Sequence, residues 1–130
     1  MKLLLLIGLS LTTSILFAGD TTENKAKPKI LYGTASFYSN SFNGKKTANG
    51  EIYSHKKMTA ACNVLPLGTW IRVTNLRNGK SVVVKTNDRL HSRMKRVVDL
   101  SREAADKLKY IKSGLTRVKV EVLGKTKPEE

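Results

Sequence analysis

The chain has 130 residues, which is enough for one domain with a modest hydrophobic core. Its single cysteine, Cys62, excludes an intramolecular disulfide, and its formal net charge is +14. The basic residues are scattered over predicted strands and loops, with no series of aromatic residues among them. We therefore expect no nucleic-acid binding; an exported protein of this charge is expected to meet an anionic wall polymer or membrane surface.

The N-terminal segment has the pattern of a secretory signal peptide. Lys2 precedes an apolar stretch from Leu3 to Phe17, and the small residues Ala18 and Gly19 follow it. The stretch is too short to favour a transmembrane anchor, although a retained anchor is the alternative. We predict a signal peptide over 1–19 and an exported protein of the periplasm or cell envelope, without a stable membrane anchor. No cysteine lies near the cleavage site, so we do not expect a lipoprotein.

Polar segments mark the limits of the folded unit. Residues 20–29, DTTENKAKPK, are predicted to be a flexible leader, and residues 124–130, GKTKPEE, a disordered tail. No repeats appear between them. The sequence therefore predicts one domain over 30–123.

Strand patterns dominate this domain. The segments with β-branched or alternating residues are 32–38, 69–75, 80–87, 96–100 and 116–122. In the second of them, Ile71 and Val73 alternate with polar or amphipathic neighbours. Asn78-Gly79, between the second and third, supplies the positive-φ residues of a hairpin turn. Val118, Val120 and Val122 are predicted to share one face.

One helix is predicted after the fourth strand. Ser101 is a suitable N-cap and Glu103 lies in the first turn, where a negative charge is favourable. The apolar positions fall at helical spacing on one face: Leu100, Ala104, Ala105 and Leu108. Short strands and one helix in a small chain favour a closed β-barrel over an open sheet.

Five motifs occur in a characteristic order: GTASFYS, FNGKKTANGE, LPLGTWIRVTNLRNGKSVVV, NDR and VVDLSREAADKL. In these motifs, over about 32–123, the chain resembles the rare lipoprotein A (RlpA) family of septal-ring lytic transglycosylases. The resemblance implies a double-psi β-barrel, the fold shared with expansins. The predicted fold is therefore mainly β, a six-stranded double-psi β-barrel with one or two short helices.

The resemblance also implies an activity. Family members cleave the β-1,4 bond between N-acetylmuramic acid and N-acetylglucosamine without water, and some prefer strands stripped of their peptides. The muramyl 6-hydroxyl attacks the anomeric carbon and leaves a 1,6-anhydro end. A carboxyl must protonate the leaving oxygen and then accept the hydroxyl proton, while negative charge stabilises an oxocarbenium-like transition state. The implied acid is Asp88, of the NDR motif, and the implied second acidic group is Glu51.

Other predicted site residues are expected to contact the glycan. Tyr38 and Phe42 flank the turn SNS and are candidates for a groove wall; Tyr53 and Trp70 could also stack on sugars, but fit a core or strand surface better. The remaining predicted substrate contacts are Cys62, Asn87, Arg89, His91 and Asp99. His55 and His91 are too few for a metal site, so no metal or cofactor is expected. We expect a monomer whose partner is peptidoglycan.

The residues themselves leave simpler roles open. Asp88 could cap a turn or pair with Arg89, and Glu51 could be an exposed charge after a turn. Asp99 could help cap the helix or bond a psi loop of the barrel. Cys62 could be a small buried hydrophobe. An acid near neutral pH needs a raised pKa, and this requires burial or a neighbouring carboxylate.

The chain departs from the family pattern at three places. Cys62 stands where the family usually has histidine, Ser54 where it often has aspartate, and Leu90-His91 where it has a glycine–proline turn. His91 or His55 could supply an imidazole instead. Two functions therefore remain: an exported peptidoglycan lytic transglycosylase, or a non-catalytic, expansin-like barrel that only binds the wall.

Overall fold

The computed structural model describes residues 29–129. The predicted signal peptide over 1–19 and nearly all of the predicted leader lie outside the described residues. Within 29–129, the elements are β1 (Ile30–Phe37), a short 3-10 helix (Asn40–Phe42), β2 (Thr59–Ala61), β3 (Trp70–Asn75), β4 (Ser81–Asp88), β5 (Val98–Leu100), α1 (Arg102–Lys107) and β6 (Thr116–Gly124). No helix in this part of the chain is long and apolar enough to span a membrane.

The six strands close into a barrel in the order β1-β5-β2-β4-β3-β6. The pairs β1/β5 and β2/β4 are parallel, and the remaining pairs are antiparallel. The prediction of a mainly β, six-stranded barrel with a helix is confirmed. Closure leaves no strand edge unpaired, which removes a common route to aggregation.

The strand predicted around Ile71 has the expected alternation. Ile71 and Val73 are fully buried, whereas Trp70, Arg72 and Thr74 are only partly covered. The turn at Asn78-Gly79 joins β3 to β4, and Gly79 has a φ of 74°. The pattern in β6 is confirmed for Val118 and Val120, which are both fully buried.

One strand was not predicted from the sequence. β2 consists of Thr59, Ala60 and Ala61, which are all buried. Three small residues without alternation carry no strand periodicity. They form a strand here because β4 and β5 hydrogen-bond them from both sides.

The helix begins as predicted and ends early. Ser101 is the N-cap, and its Oγ accepts a hydrogen bond from the Ala104 amide at 3.4 Å. α1 ends at Lys107, and Lys109 adopts a positive φ of 61°. Ala104 and Ala105 of the helix are buried, as the spacing indicated, and so are Leu100 at the end of β5 and Leu108 at the helix C-cap.

The C-terminal segment differs from the predicted disordered tail. β6 extends to Gly124. Beyond it, the Lys125 Nζ donates a hydrogen bond to the Leu67 carbonyl at 2.9 Å. The Lys127 Nζ lies 5.8 Å from the centre of the Trp70 ring. The first residues after the barrel are therefore held against it.

Candidate active site

Strand register places two aspartates in one row across the barrel. Ser36 on β1 pairs with Asp99 on β5, Asp99 pairs with Ala61 on β2, and Ala61 pairs with Asp88 on β4. Neighbouring strands are about 4.8 Å apart, so the Cα atoms of Asp88 and Asp99 are separated by roughly 10 Å. The small side chain of Ala61 between them leaves room for a ligand.

A β-bulge sets the direction of the Asp88 side chain. Ala60 pairs with Thr86 but Ala61 pairs with Asp88, so Asn87 is an extra residue on β4. Thr86 and Asn87 are consequently both buried, and the inside–outside alternation of the strand changes at this point. Bulges of this kind redirect side chains next to functional sites.

The row lies beside a groove of about 520 Å³. Asp88 and Asp99 both line it. The rest of the lining is Phe37, Tyr38, Ser39, Phe42, Ala61, Arg89, Leu90, His91, Met94 and Arg96. The lining includes residues that were not predicted as site residues from the sequence: Phe37, Ser39, Ala61, Met94 and Arg96. Met94 and Arg96 belong to a basic loop without a motif of its own.

Three hydrogen bonds fix the Asp88 carboxylate. The Tyr38 hydroxyl donates to Oδ2 at 2.6 Å, the Ala48 amide donates to Oδ1 at 2.8 Å, and the Arg89 amide donates to Oδ1 at 2.9 Å. These donors come from the end of β1, from the loop before β2 and from the residue after Asp88. The carboxylate is therefore held in one orientation at the groove.

Tyr38 supports Asp88 from below the groove surface. Its ring stacks on Tyr53 with a centroid distance of 4.0 Å and an interplanar angle of 12°. Burial and the hydrogen bond to Asp88 raise the pKa of Tyr38 well above its ordinary value, so the hydroxyl stays protonated as a donor. Tyr38 lines the groove, but only 3% of it is exposed, so its contact with a sugar stays a prediction.

Tyr53 continues the arrangement away from the groove. Its hydroxyl lies 2.7 Å from the Nδ1 of His55 and accepts a hydrogen bond from the Arg102 amide at 3.3 Å. The imidazole of His55 is therefore engaged beneath the site. His91, in contrast, lines the groove itself.

Asp99 differs from Asp88 in its surroundings. Burial raises the pKa of the Asp99 carboxyl, and the negative charge of Asp88 adds to this; the Ser36 hydrogen bond and the positive charge of Arg96 oppose it. The Ser36 Oγ donates to Oδ1 at 2.7 Å. The alternative role of Asp99 in capping α1 is wrong, because Ser101 caps that helix.

Glu51 lies on the loop that also binds Asp88. The Asn49 Nδ2 donates to Oε1 at 2.6 Å and the Asn87 Nδ2 donates to Oε2 at 3.4 Å. The hydrogen bond from Asn49 holds the pKa of Glu51 below its usual value. Glu51 is not part of the groove lining. It is suited to carry negative charge and poorly suited to donate a proton.

Two predicted substrate contacts are wrong. Cys62 is fully buried in the barrel core, where its thiol packs among apolar side chains and cannot meet a glycan. Asn87 is 1% exposed, and its amide bonds to Glu51 instead. The interpretation of Cys62 as a small buried hydrophobe is the correct one.

Arg89 has a structural task. Its Nη1 donates to the carbonyl oxygens of Cys62 and Leu65, which ties the loop after β2 to the end of β4. The guanidinium forms no ion pair with Asp88 in the described part of the chain. Arg89 also lines the groove, as do Phe42 and His91, so these three predicted contacts stay predictions.

The family model described as lytic transglycolase matches residues 31–120. The chain belongs to the RlpA-like family. Over 98 residues it is 53% identical to the endolytic peptidoglycan transglycosylase RlpA of Pseudomonas aeruginosa strain UCBPP-PA14, an alignment that covers 75% of this chain and 29% of that protein. Over 101 residues it is 42% identical to the RlpA of Neisseria meningitidis serogroup A strain Z2491, covering 78% of this chain and 42% of that protein.

Solved structures support the RlpA-like fold. The apo expansin of Clavibacter michiganensis has a TM-score of 0.59 and 21% identity, with 78% of this chain and 53% of the expansin covered. The Streptomyces papain inhibitor has a TM-score of 0.59 and 19% identity, with 72% of this chain and 94% of the inhibitor covered. The barrel is a double-psi β-barrel, as the resemblance implied.

Proposed function

We propose that this RlpA-like chain is an exported lytic transglycosylase that cleaves the β-1,4 bond after N-acetylmuramic acid in peptide-poor glycan strands. The observation that carries the proposal is the pair of carboxyls, Asp88 and Asp99, on one groove in different surroundings. Relatives that this chain matches over part of their length are named endolytic peptidoglycan transglycosylases. A related expansin variant was crystallised with cellohexaose, a linear glycan.

The two carboxyls divide the proton transfers. Asp99, whose pKa is raised by burial, donates its proton to the oxygen of the leaving N-acetylglucosamine. The muramyl 6-hydroxyl forms the new bond to the anomeric carbon and gives its proton to the Asp88 carboxylate. The products are a free 4-hydroxyl and a 1,6-anhydro end. A proton returning from Asp88 to Asp99 through water restores the starting state.

Negative charge around the groove supports the transition state. The anomeric carbon gains positive character as the leaving oxygen departs. Asp88 is held by three donors beside the groove, and Glu51 is held on the adjoining loop by Asn49 and Asn87. We infer a supporting electrostatic role for Glu51. In the hypothesis from the sequence, Asp88 acts as both acid and base and Glu51 supports it. Variants of Asp99 distinguish that mechanism from the one in which Asp99 is the acid.

The test is a digest of purified sacculi and of peptide-stripped strands with the protein from residue 20 onward. Mass spectrometry counts anhydro-muramyl ends. We expect Asp88→Asn and Asp99→Asn each to abolish them, and Glu51→Gln to reduce them. Asp106→Asn, at an exposed position on α1, is the matched control. Full activity in Asp99→Asn would transfer both proton steps to Asp88.

The second candidate function is wall binding without chemistry. It is favoured by Cys62, which replaces the usual histidine of the family and lies in the core, so it supplies no imidazole to the groove. This candidate predicts that wild type and Asp88→Asn bind sacculi equally and that neither releases anhydro ends. Release of such ends by the wild type contradicts it.

Export to the periplasm or cell envelope, as a monomer, is part of the same proposal. Its support is the apolar stretch from Leu3 to Phe17 followed by Ala18 and Gly19. N-terminal sequencing of the protein from the envelope fraction tests it. We expect a start at residue 19 or 20, and an uncut N-terminus would instead indicate a retained anchor.

A further inference from the structure

A second groove lies apart from the candidate active site. It has a volume of about 520 Å³, and its lining includes Met58, Trp70, Val83, Lys107 and Lys127. We call this the lysine–tryptophan groove. It shares no lining residue with the groove that holds Asp88 and Asp99.

The hairpin of β3 and β4 builds its floor. Trp70 and Lys85 are opposite each other in the strand register, and both point out of the barrel because Ile71 and Val84 point in. Val83 lies on the same outer face. A large indole and a methyl-rich side chain therefore form a partly exposed apolar floor outside the barrel.

Lysines surround the indole. The Lys127 Nζ is 5.8 Å and the Lys85 Nζ is 6.0 Å from the centre of the Trp70 ring. Lys127 comes from the segment after β6, which Lys125 attaches to the barrel through the Leu67 carbonyl. The indole therefore has two ammonium groups within reach of any ligand that packs on it.

Among residues 29–129, no acidic side chain belongs to the lining of this groove. Lys107 has one anionic neighbour, Glu103, at 4.0 Å, in an exposed i,i+4 pair. Such pairs are weak and exchange readily with other ligands. Lys85 and Lys127 form no ion pair among the described residues. The groove is thus cationic around an aromatic floor.

We propose that the lysine–tryptophan groove is a second binding site, which takes a carboxylate-bearing glycan strand. The C–H face of a sugar packs on the indole of Trp70, and a carboxylate on the same strand binds Lys107 and Lys127. Aromatic floor and cationic rim together select an anionic glycan over a neutral glycan or a small anion. The identification of the polymer as peptidoglycan rests on the proposed function.

The position of the groove explains what a second site contributes. Lys85 precedes Asp88 by three residues on β4, a distance of roughly 10 Å along the strand. β4 therefore contributes to both grooves, through Val83 to the lysine–tryptophan groove and through Asp88 to the active-site groove. Binding of one wall strand at the lysine–tryptophan groove raises the local concentration of neighbouring strands at the active site.

The proposal is tested by co-sedimentation of the protein with sacculi. The parent protein is the chain from residue 20 onward with Asp99→Asn, so that binding is measured without digestion. The variants are Trp70→Ala and Lys107→Glu/Lys127→Glu. The controls are Tyr32→Ala, an exposed aromatic on β1, and Lys112→Glu, an exposed lysine. We expect both groove variants to weaken binding to sacculi by about tenfold, because they remove the second attachment to the wall. The controls should bind like the parent, because they leave the lysine–tryptophan groove intact.

Three further ligands identify the chemistry. Peptide-stripped strands carry the muramyl carboxylate, chitin carries the same kind of sugar without one, and phosphatidylglycerol vesicles carry charge without sugar. We expect the lysine variant to lose affinity for peptide-stripped strands and to be unchanged on chitin. An equal loss on vesicles, or parent-like binding to sacculi by both groove variants, would overturn the proposal.

Activity separates this proposal from the proposed function. With Asp99 intact, cleavage of a short soluble glycan is expected to be unchanged by Lys107→Glu/Lys127→Glu, because both lysines lie outside the active-site groove. If no variant or wild type forms anhydro ends, the proposed function fails while the binding result stands. If Trp70→Ala lowers the stability of the barrel, Lys107→Glu/Lys127→Glu still tests the proposal, because these substitutions lie at the surface.

Discussion

The hydrogen bond from Tyr38 to Asp88 offers a sharp test of the site. Within residues 29–129 the Tyr38 hydroxyl is the sole side-chain donor to Asp88, at 2.6 Å. Tyr38→Phe removes this one hydroxyl. The ring can keep its stack on Tyr53 at 4.0 Å, so the barrel should fold unchanged.

The size of the effect follows from the charge of the acceptor. A hydrogen bond to an ionised group contributes about 1.5–3 kcal/mol, and a loss of that size in transition-state stabilisation lowers kcat/KM by about 10- to 150-fold. The free energy of unfolding should fall less, by about 1 kcal/mol, because water in the groove can replace the lost donor. Activity is therefore expected to fall much more than stability.

The assay is the initial rate of anhydro-muramyl formation, with urea unfolding as a check on stability. Tyr53→Phe is the matched control. It removes a hydroxyl from the other ring of the same stack, which bonds to His55 and Arg102 and does not contact Asp88. An undiminished rate in Tyr38→Phe, or an equal loss in Tyr53→Phe, would refute the assigned role of the Tyr38 hydroxyl.

Three more predictions concern Asp99, Cys62 and Gly33. Because burial raises the pKa of Asp99, the folded chain binds this proton more tightly than the unfolded chain; the ionised form therefore costs stability once the pH exceeds the raised pKa. Asp99→Asn should increase the free energy of unfolding relative to wild type at pH 7, and this gain should shrink at pH values below about 3.9, the ordinary aspartate pKa. Urea titrations at the two pH values measure the gain. A gain that grows on acidification would contradict the raised pKa of Asp99. The Cys62 thiol, which is fully buried, should react with a thiol reagent in urea and not in buffer, and rapid native labelling would contradict its burial. Gly33→Ala should lower the free energy of unfolding by about 1–3 kcal/mol through overpacking, because a Cβ there would lie 2.8 Å from the Val97 Cβ and 2.9 Å from its Cγ1. Val97→Gly removes both of these atoms, so it should cost less stability in the Gly33→Ala chain than in the wild type; additive losses would exclude the clash.

Short-range patterns in the sequence were sufficient for several elements. The alternation around Ile71, the turn at Asn78-Gly79 and the N-cap at Ser101 each depend on neighbours within a few residues. Such features are set by side-chain period and backbone preference. The motif that contains Asp88 likewise identified a residue of the candidate site.

Short-range patterns could not predict which of two neighbouring residues is buried and which lies at the groove. Asn87 and Asp88 stand side by side in the motif, yet a bulge against β2 buries the first and leaves the second at the groove. Cys62 follows a strand of three small residues, and nothing in its local pattern shows that it enters the core. His91 lies in a loop that is held by Asn63, a residue distant in sequence, whose Oδ1 accepts a hydrogen bond from the Leu90 amide at 2.8 Å.

By itself, the sequence determined a small β-barrel with one helix and a short hairpin, because these depend on local spacing. Motif order indicated one carboxylate of the candidate site, that of Asp88. The placement of Asp88 and Asp99 on one groove was decided by tertiary structure alone. Ser36, Ala61, Asp88 and Asp99 are far apart in the chain and meet because β1, β5, β2 and β4 take one particular register. Burial in that row then raises the pKa of Asp99, and the burial of a residue depends on which strands lie beside it.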